Sequence, residues 1–96
     1  MPEAITRDSC PRIAPKARLR YDRKAERYML LYPERGLVLN PTAADIVQLC
    51  TGEHSVAGII DQLAAKYRRD TQAIEPEVMG FLASLAERGL LQETAP

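Results

Sequence analysis

The sequence predicts an α+β fold of winged-helix-like organisation, in which an N-terminal three-stranded antiparallel sheet is followed by a three-helix bundle. Three observations carry this. Before residue 40, apolar residues alternate or cluster in short runs, as strands require. After it they recur at i, i+3, i+4 and i+7, the spacing of one helical face. The length of 96 residues, with 46% apolar and 27% charged, suits one small domain.

Residues 1–16 contain Pro2, Pro11 and Pro15, which lack donors, and no periodic pattern. They read as a flexible N-terminal arm. Residues 17–92 read as a single domain, with the sheet in 17–40 and the helices in 41–92. Arg18 to Asp22 alternates with a period of two, which places Leu19 and Tyr21 on one face. After the polar break Arg23 to Glu26, the run Tyr28 to Tyr32 is apolar on both faces, as in a strand covered on two sides. Pro33-Glu34-Arg35-Gly36 predicts a turn, and Leu37-Val38-Leu39 a short third strand.

Asn40 caps the first helix and Pro41 occupies its first position, where a missing N–H costs nothing. Ala43, Ile46, Val47 and Cys50 form its apolar face, and Gly52 stops it. Ser55 caps a second helix with the stripe Val56, Ile59, Ile60, Leu63 and Tyr67. Arg68 to Gln72 reads as a polar link. A third helix is expected to open near Pro76 and to end at Gly89, with Leu90-Leu91 returning onto the core. Its apolar positions Val78, Met79, Phe81, Leu82, Leu85 and Ala86 exceed a single stripe, which implies contact on two sides.

Thirteen basic and thirteen acidic residues balance, yet residues 1–40 hold nine bases and five acids against four and eight in 41–96. The halves thus differ as +4 and −4. Attraction between two subdomains accounts for this, and so does an acidic partner docking on the first half. The zero net charge argues against a nucleic-acid binder that relies on a broad basic face, and no apolar run approaches the roughly 20 residues that span a bilayer. Nor is there the apolar core of a secretory signal, so the reading is a cytoplasmic protein with reduced thiols and no membrane association.

Catalytic constellations are poor. Cys50 could be a nucleophile with His54 as base, but Cys50 occupies a core position and reads as an inert packed thiol. Two cysteines and one histidine cannot build a multi-cysteine or multi-histidine metal site, and no phosphate loop occurs. No active site, metal or cofactor is expected. What remains is interaction surface. A winged helix-turn-helix DNA regulator is the alternative from another class, but its recognition helix, 76–88, would carry Arg88 against Glu75, Glu77 and Glu87, which repel phosphate. A second alternative is a structural homodimer closed by the third helix.

Several blocks taken together, Leu31-Tyr32-Pro33-Glu34 with Gly36, Leu39 to Ala44 and Leu49-Cys50-Thr51-Gly52, resemble the pyrroloquinoline quinone (PQQ) biosynthesis protein D family. Val56, Ile59-Ile60, Leu63, Tyr67, Phe81-Leu82, Leu85 and Gly89-Leu90-Leu91 extend the resemblance over residues 11 to 92. Tyr21 stands where the family has an aromatic residue, often tryptophan, and Pro76 is a departure at the third helix. The resemblance implies a non-catalytic peptide chaperone. Such proteins bind the ribosomal precursor peptide and present it to a radical S-adenosylmethionine (SAM) enzyme that joins its glutamate to its tyrosine. It implies further that the leader adds as a strand along Leu37, Val38 and Leu39 and lies against a wall of Val78, Met79, Leu82 and Leu85. Unoccupied, such an edge is expected to support a homodimer by strand exchange or edge pairing.

Overall fold

Strand pairing organises the first half of the chain. The computed structural model describes residues 5–33 and 35–94. Along the chain run β1 (Cys10–Ile13), β2 (Arg18–Asp22), β3 (Arg27–Tyr32), β4 (Arg35–Leu39), α1 (Pro41–Leu49), α2 (Val56–Tyr67), α3 (Thr71–Glu87) and β5 (Leu91–Thr94). The antiparallel sheet has the order β2-β3-β4, and β1 pairs with β5 in a second, two-stranded sheet. This is the α+β arrangement of three strands and three helices that the patterning predicts, with a small sheet added. Glu34, within the expected turn, lies outside the described residues.

Register decides which side chains meet the helices. Leu19, Leu30 and Leu37 stand opposite one another, as do Tyr21, Tyr28 and Leu39. These two rows share the helix-facing side of the sheet, where Leu30 and Leu39 join the core with Ile46, Ile59, Ile60 and Leu63 while Tyr21, on the edge strand, stays exposed. The other face carries Arg18, Leu31 and Gly36 in one row and Arg20, Met29 and Val38 in the next. The sequence reading of β3 as apolar on both faces therefore holds, with Leu30 fully buried on the inner face and Met29 and Leu31 half-buried on the outer one.

Both predicted caps form. The Asn40 side chain accepts the Ala43 N–H at 2.7 Å, and Ser55 Oγ accepts the Gly58 N–H at 3.1 Å. Each satisfies an amide that the first helical turn leaves unpaired, worth about 1 kcal/mol.

The expected arm over 1–16 is corrected for its described part, which is strand and strap; residues 1–4 lie outside the described residues. Arg7 and Ser9 present their carbonyls to the first amides of α2, with Ala57 N–H donating at 3.0 Å and Val56 N–H at 2.8 Å. The Pro11 carbonyl accepts the Gly52 N–H at 3.0 Å, and Ala14 N–H donates to Leu90 at 2.8 Å. Prolines remove donors but keep acceptors, so a proline-rich segment can still satisfy a helix start.

The third helix also begins earlier than expected. It opens at Thr71, and Pro76 lies inside it rather than at its first position. The missing Pro76 N–H deprives the Gln72 carbonyl of its usual partner, a loss that water can make good because Gln72 is exposed. At the other end Gly89 takes φ +70° and Leu90 N–H bonds back to Leu85, which turns the chain into β5.

Candidate functional site

A sheet of order β2-β3-β4 ends in two edges, and no other described strand pairs with the outer side of β4. That edge offers main-chain donors and acceptors along five residues, the geometry that accepts an added strand. The three residues implied as the receiving edge lie on it with different fates. Leu39 is buried, Leu37 half-buried, and Val38 is 50% exposed on the outer face.

The implied wall is largely core. Val78, Leu82 and Leu85 are each 0% exposed, and with Ile74 they form the stripe α3 buries. Their i, i+4, i+7 spacing faces the helical core, where α3 packs chiefly on α2 and also meets α1 and β5. They cannot touch a ligand while the domain is folded. That is a correction to the expected wall.

Met79 is half-buried, but it shares its flank with Glu75, which pairs with Arg7 of the N-terminal strap at 2.6 Å. The opposite flank carries Glu77, Phe81, Ser84 and Arg88 in one line, at i, i+4, i+7 and i+11. Arg88 Nη1 donates to the Tyr32 hydroxyl of β3 at 3.5 Å, so this flank turns toward the sheet. Phe81, half-buried at the centre of this flank, belongs to the apolar set expected for α3 but not to the wall that the resemblance implies. Phe81 lies on the other side of the buried stripe from Met79, about 160° around the helix at ~100° per residue.

At the far end of β4 an open cleft of about 690 Å³ is lined by Tyr21, Tyr28, Val38, Leu39, Asp45 and Tyr67, among others. Tyr21 meets Tyr28 edge-to-face with ring centroids 5.0 Å apart. Asp45 accepts from Lys66 Nζ at 2.9 and 3.0 Å and from the Tyr67 hydroxyl, tying α1 to the end of α2. The Asp45 hydrogen bond is the main cause that raises both Lys66 and Tyr67 above their ordinary values. The carboxylate is engaged on both sides, so it holds the cleft's shape rather than offering a free base.

The catalytic candidates are not assembled. Cys50 is 4% exposed, and burial pushes its thiol up to about 12. It is therefore protonated at neutral pH, whereas nucleophilic cysteines are thiolates. His54 sits in the loop before α2, with Gln62 Nε2 3.4 Å from its Nδ1. No group of three or more metal-ligating side chains occurs among the described residues, and none of the described helices is long and apolar enough to cross a membrane. A thiol whose pKa is raised on folding opposes ionisation only in the folded state. The stability it confers is intact below about pH 9, the value of an unperturbed thiol, and is lost as pH climbs toward 12. Iodoacetamide at pH 8 is accordingly expected to modify Cys50 only after unfolding, as mass spectrometry with and without denaturant would show.

The charge asymmetry is only slightly used inside the fold. Of the ion pairs among described residues, Arg7–Glu75 joins the two halves, while Lys66–Asp45 and Arg69–Glu77 lie within the helical half. Attraction between subdomains does not account for the sheet's arginines.

Comparison with known proteins agrees with the geometry. The family model of coenzyme PQQ synthesis protein D (PqqD) matches residues 27–91. A PqqA binding protein of Rhodopseudomonas palustris is 44% identical over 93% of this chain and 91% of its own length. The crystal structure of PqqD from Xanthomonas campestris is 36% identical, covers 92% of this chain and 98% of its own, and superposes with a TM-score of 0.59. The solution structure of the PqqD truncation of Methylobacterium extorquens PqqCD, a stand-alone recognition element for ribosomally synthesized and post-translationally modified peptides, is 31% identical. It covers 93% of this chain and 95% of its own, with a TM-score of 0.81. From β3 through α3 to β5, in sequence and in fold alike, this chain belongs to the coenzyme PQQ synthesis protein D family.

Proposed function

We propose that the chain is a non-catalytic carrier of the PQQ precursor peptide, which it binds as an added strand on β4 and presents to the radical SAM enzyme that cross-links the peptide's glutamate and tyrosine. The observation that carries this is the unpaired edge of β4, with the Phe81 flank of α3 turned toward the same sheet, in a family whose relatives are PqqA binding proteins. Main-chain ladder bonds hold such a strand and side-chain pockets select it, so no catalytic group is needed. The protein acts in the cytoplasm and needs no cofactor, metal or membrane. That the M. extorquens relative is cut from a fused PqqCD chain supports work alongside other proteins of the pathway.

Calorimetric titration of synthetic precursor peptide tests the reading. Saturable 1:1 binding is expected, weakened when alternate backbone amides of the binding segment are N-methylated, because a paired strand turns every second N–H toward its neighbour. Absence of binding, or indifference to N-methylation, would remove it. Without peptide, the same vacant edge suits a second copy, by edge pairing or by exchange of the sheet about Asn40-Pro41. Sedimentation at rising concentration is expected to show a dimer that excess peptide dissolves.

The nucleic-acid alternative gains nothing from the site. Glu77 and Phe81 share a flank of α3, Glu75 lies on the other, and Arg69 is already paired with Glu77 at 3.0 Å. Duplex DNA is expected to bind feebly and to be released by salt.

A further inference from the structure

The outer face of the three-stranded sheet is composed unlike an ordinary wet face. In a sheet covered on one side, the solvent side normally carries polar residues. Here β3 and β4 place Met29, Leu31 and Val38 outward, Val38 being 50% exposed. Gly36 shares the face, and a Cβ there would come within 3.1 Å of Met29 Cε and 3.2 Å of Leu31 Cδ2. The bare glycine thus lets Met29 and Leu31, both half-buried, lie over the strand as an apolar floor. Along one side of the floor stand Arg18 and Arg20 of β2, with Arg23 and Lys24 in the turn that follows. None of these four cations makes an ion pair among the described residues, although Arg7, Lys66 and Arg69 all do. Of the two acids beside them, Asp22 accepts the turn amides of Lys24 and Ala25 at 3.0 and 3.4 Å, and Glu26 at the end of the turn is exposed without an ion pair to them.

We infer that this face docks a partner protein through an apolar patch bordered by acidic side chains, and that it does so while the peptide occupies the β4 edge. The inference rests on the proposed hand-over of the peptide to an enzyme. Strands lie about 4.8 Å apart, so a peptide strand beyond β4 runs about 14 Å from β2 and leaves Arg18 and Arg20 uncovered. A second copy of the chain is a poor occupant, because a two-fold contact through this face brings its arginines toward their own kind. An acidic-rimmed surface neutralises them and covers Met29, Leu31 and Val38 at once.

The test uses the full chain, the precursor peptide and the radical SAM enzyme of the pathway, with binding read by calorimetry. The double variant Arg18→Glu, Arg20→Glu alters exposed side chains that hold nothing in the fold. It is expected to bind the enzyme at least tenfold more weakly while peptide affinity stays within twofold of wild type. Met29→Gln, which removes apolar floor without touching charge, is expected to weaken enzyme binding in the same direction. Undiminished enzyme binding by the double variant would overturn the inference, as would a loss confined to self-association in sedimentation. If the wild-type chain with bound peptide does not bind the enzyme at all, the hand-over reading itself fails, and this face with it.

Discussion

Leu82→Asp is expected to unfold the domain rather than to empty a binding groove. Leu82 is 0% exposed within the cluster that also holds Val78, Leu85, Ile59 and Ile60. Truncating a buried leucine alone costs about 2–5 kcal/mol. A carboxylate in the same place adds a burial penalty that no cation there can offset. A domain of this size is stable by about 5–14 kcal/mol, so one substitution removes much or all of it. Far-ultraviolet circular dichroism during denaturant titration would show it. A cooperative Leu82→Asp variant with a near-wild-type midpoint would mean that this face of α3 is open to solvent.

The second large effect concerns Phe81. Phe81→Ala is expected to lower precursor affinity about ten- to hundredfold, since an anchoring side chain contributes about 1.5–3 kcal/mol and 1.4 kcal/mol is a factor of ten. Met79→Asp is expected to leave affinity unchanged. The contrast follows from the helix flanks: Arg88, on the Phe81 side, reaches Tyr32 of the sheet, while Glu75, on the Met79 side, holds Arg7 of the strap. Titrations of both variants, with melting curves to show that each is folded, decide between the flanks. The reverse ranking would place the peptide on the strap side of α3.

The elements that local chemistry determines were legible in the sequence. Asn40 and Ser55 announce two helices because a cap is a short-range hydrogen bond, and both are made. The alternation in β2 and the apolar run in β3 identify the sheet, and its register then follows from which residues must be covered. Long-range backbone partners were not legible. Pro11 looks like a loop residue until its carbonyl is seen accepting from Gly52, and β1 exists because β5 returns beside it. Pro76 misdirected the start of α3, since proline also occurs beyond the first turn when the orphaned carbonyl stays wet. For the site, the sequence could show that α3 has more apolar surface than one stripe needs. It could not show which part is core: Val78, Leu82 and Leu85 face the other helices, and only three-dimensional packing separates them from Phe81.

In the proposed complex the peptide becomes the fourth strand beside β4. Amide hydrogen exchange at the two edges of the sheet, with and without saturating precursor peptide, reports on this pairing, because a new ladder bond protects the amides that point outward. Exchange within Arg35–Leu39 should slow at least tenfold at alternate residues on binding, while Arg18–Asp22 at the opposite edge stays as it was. Protection at Arg18–Asp22 instead, or unchanged exchange in β4 at full occupancy, would mean that the peptide does not add to the β4 edge.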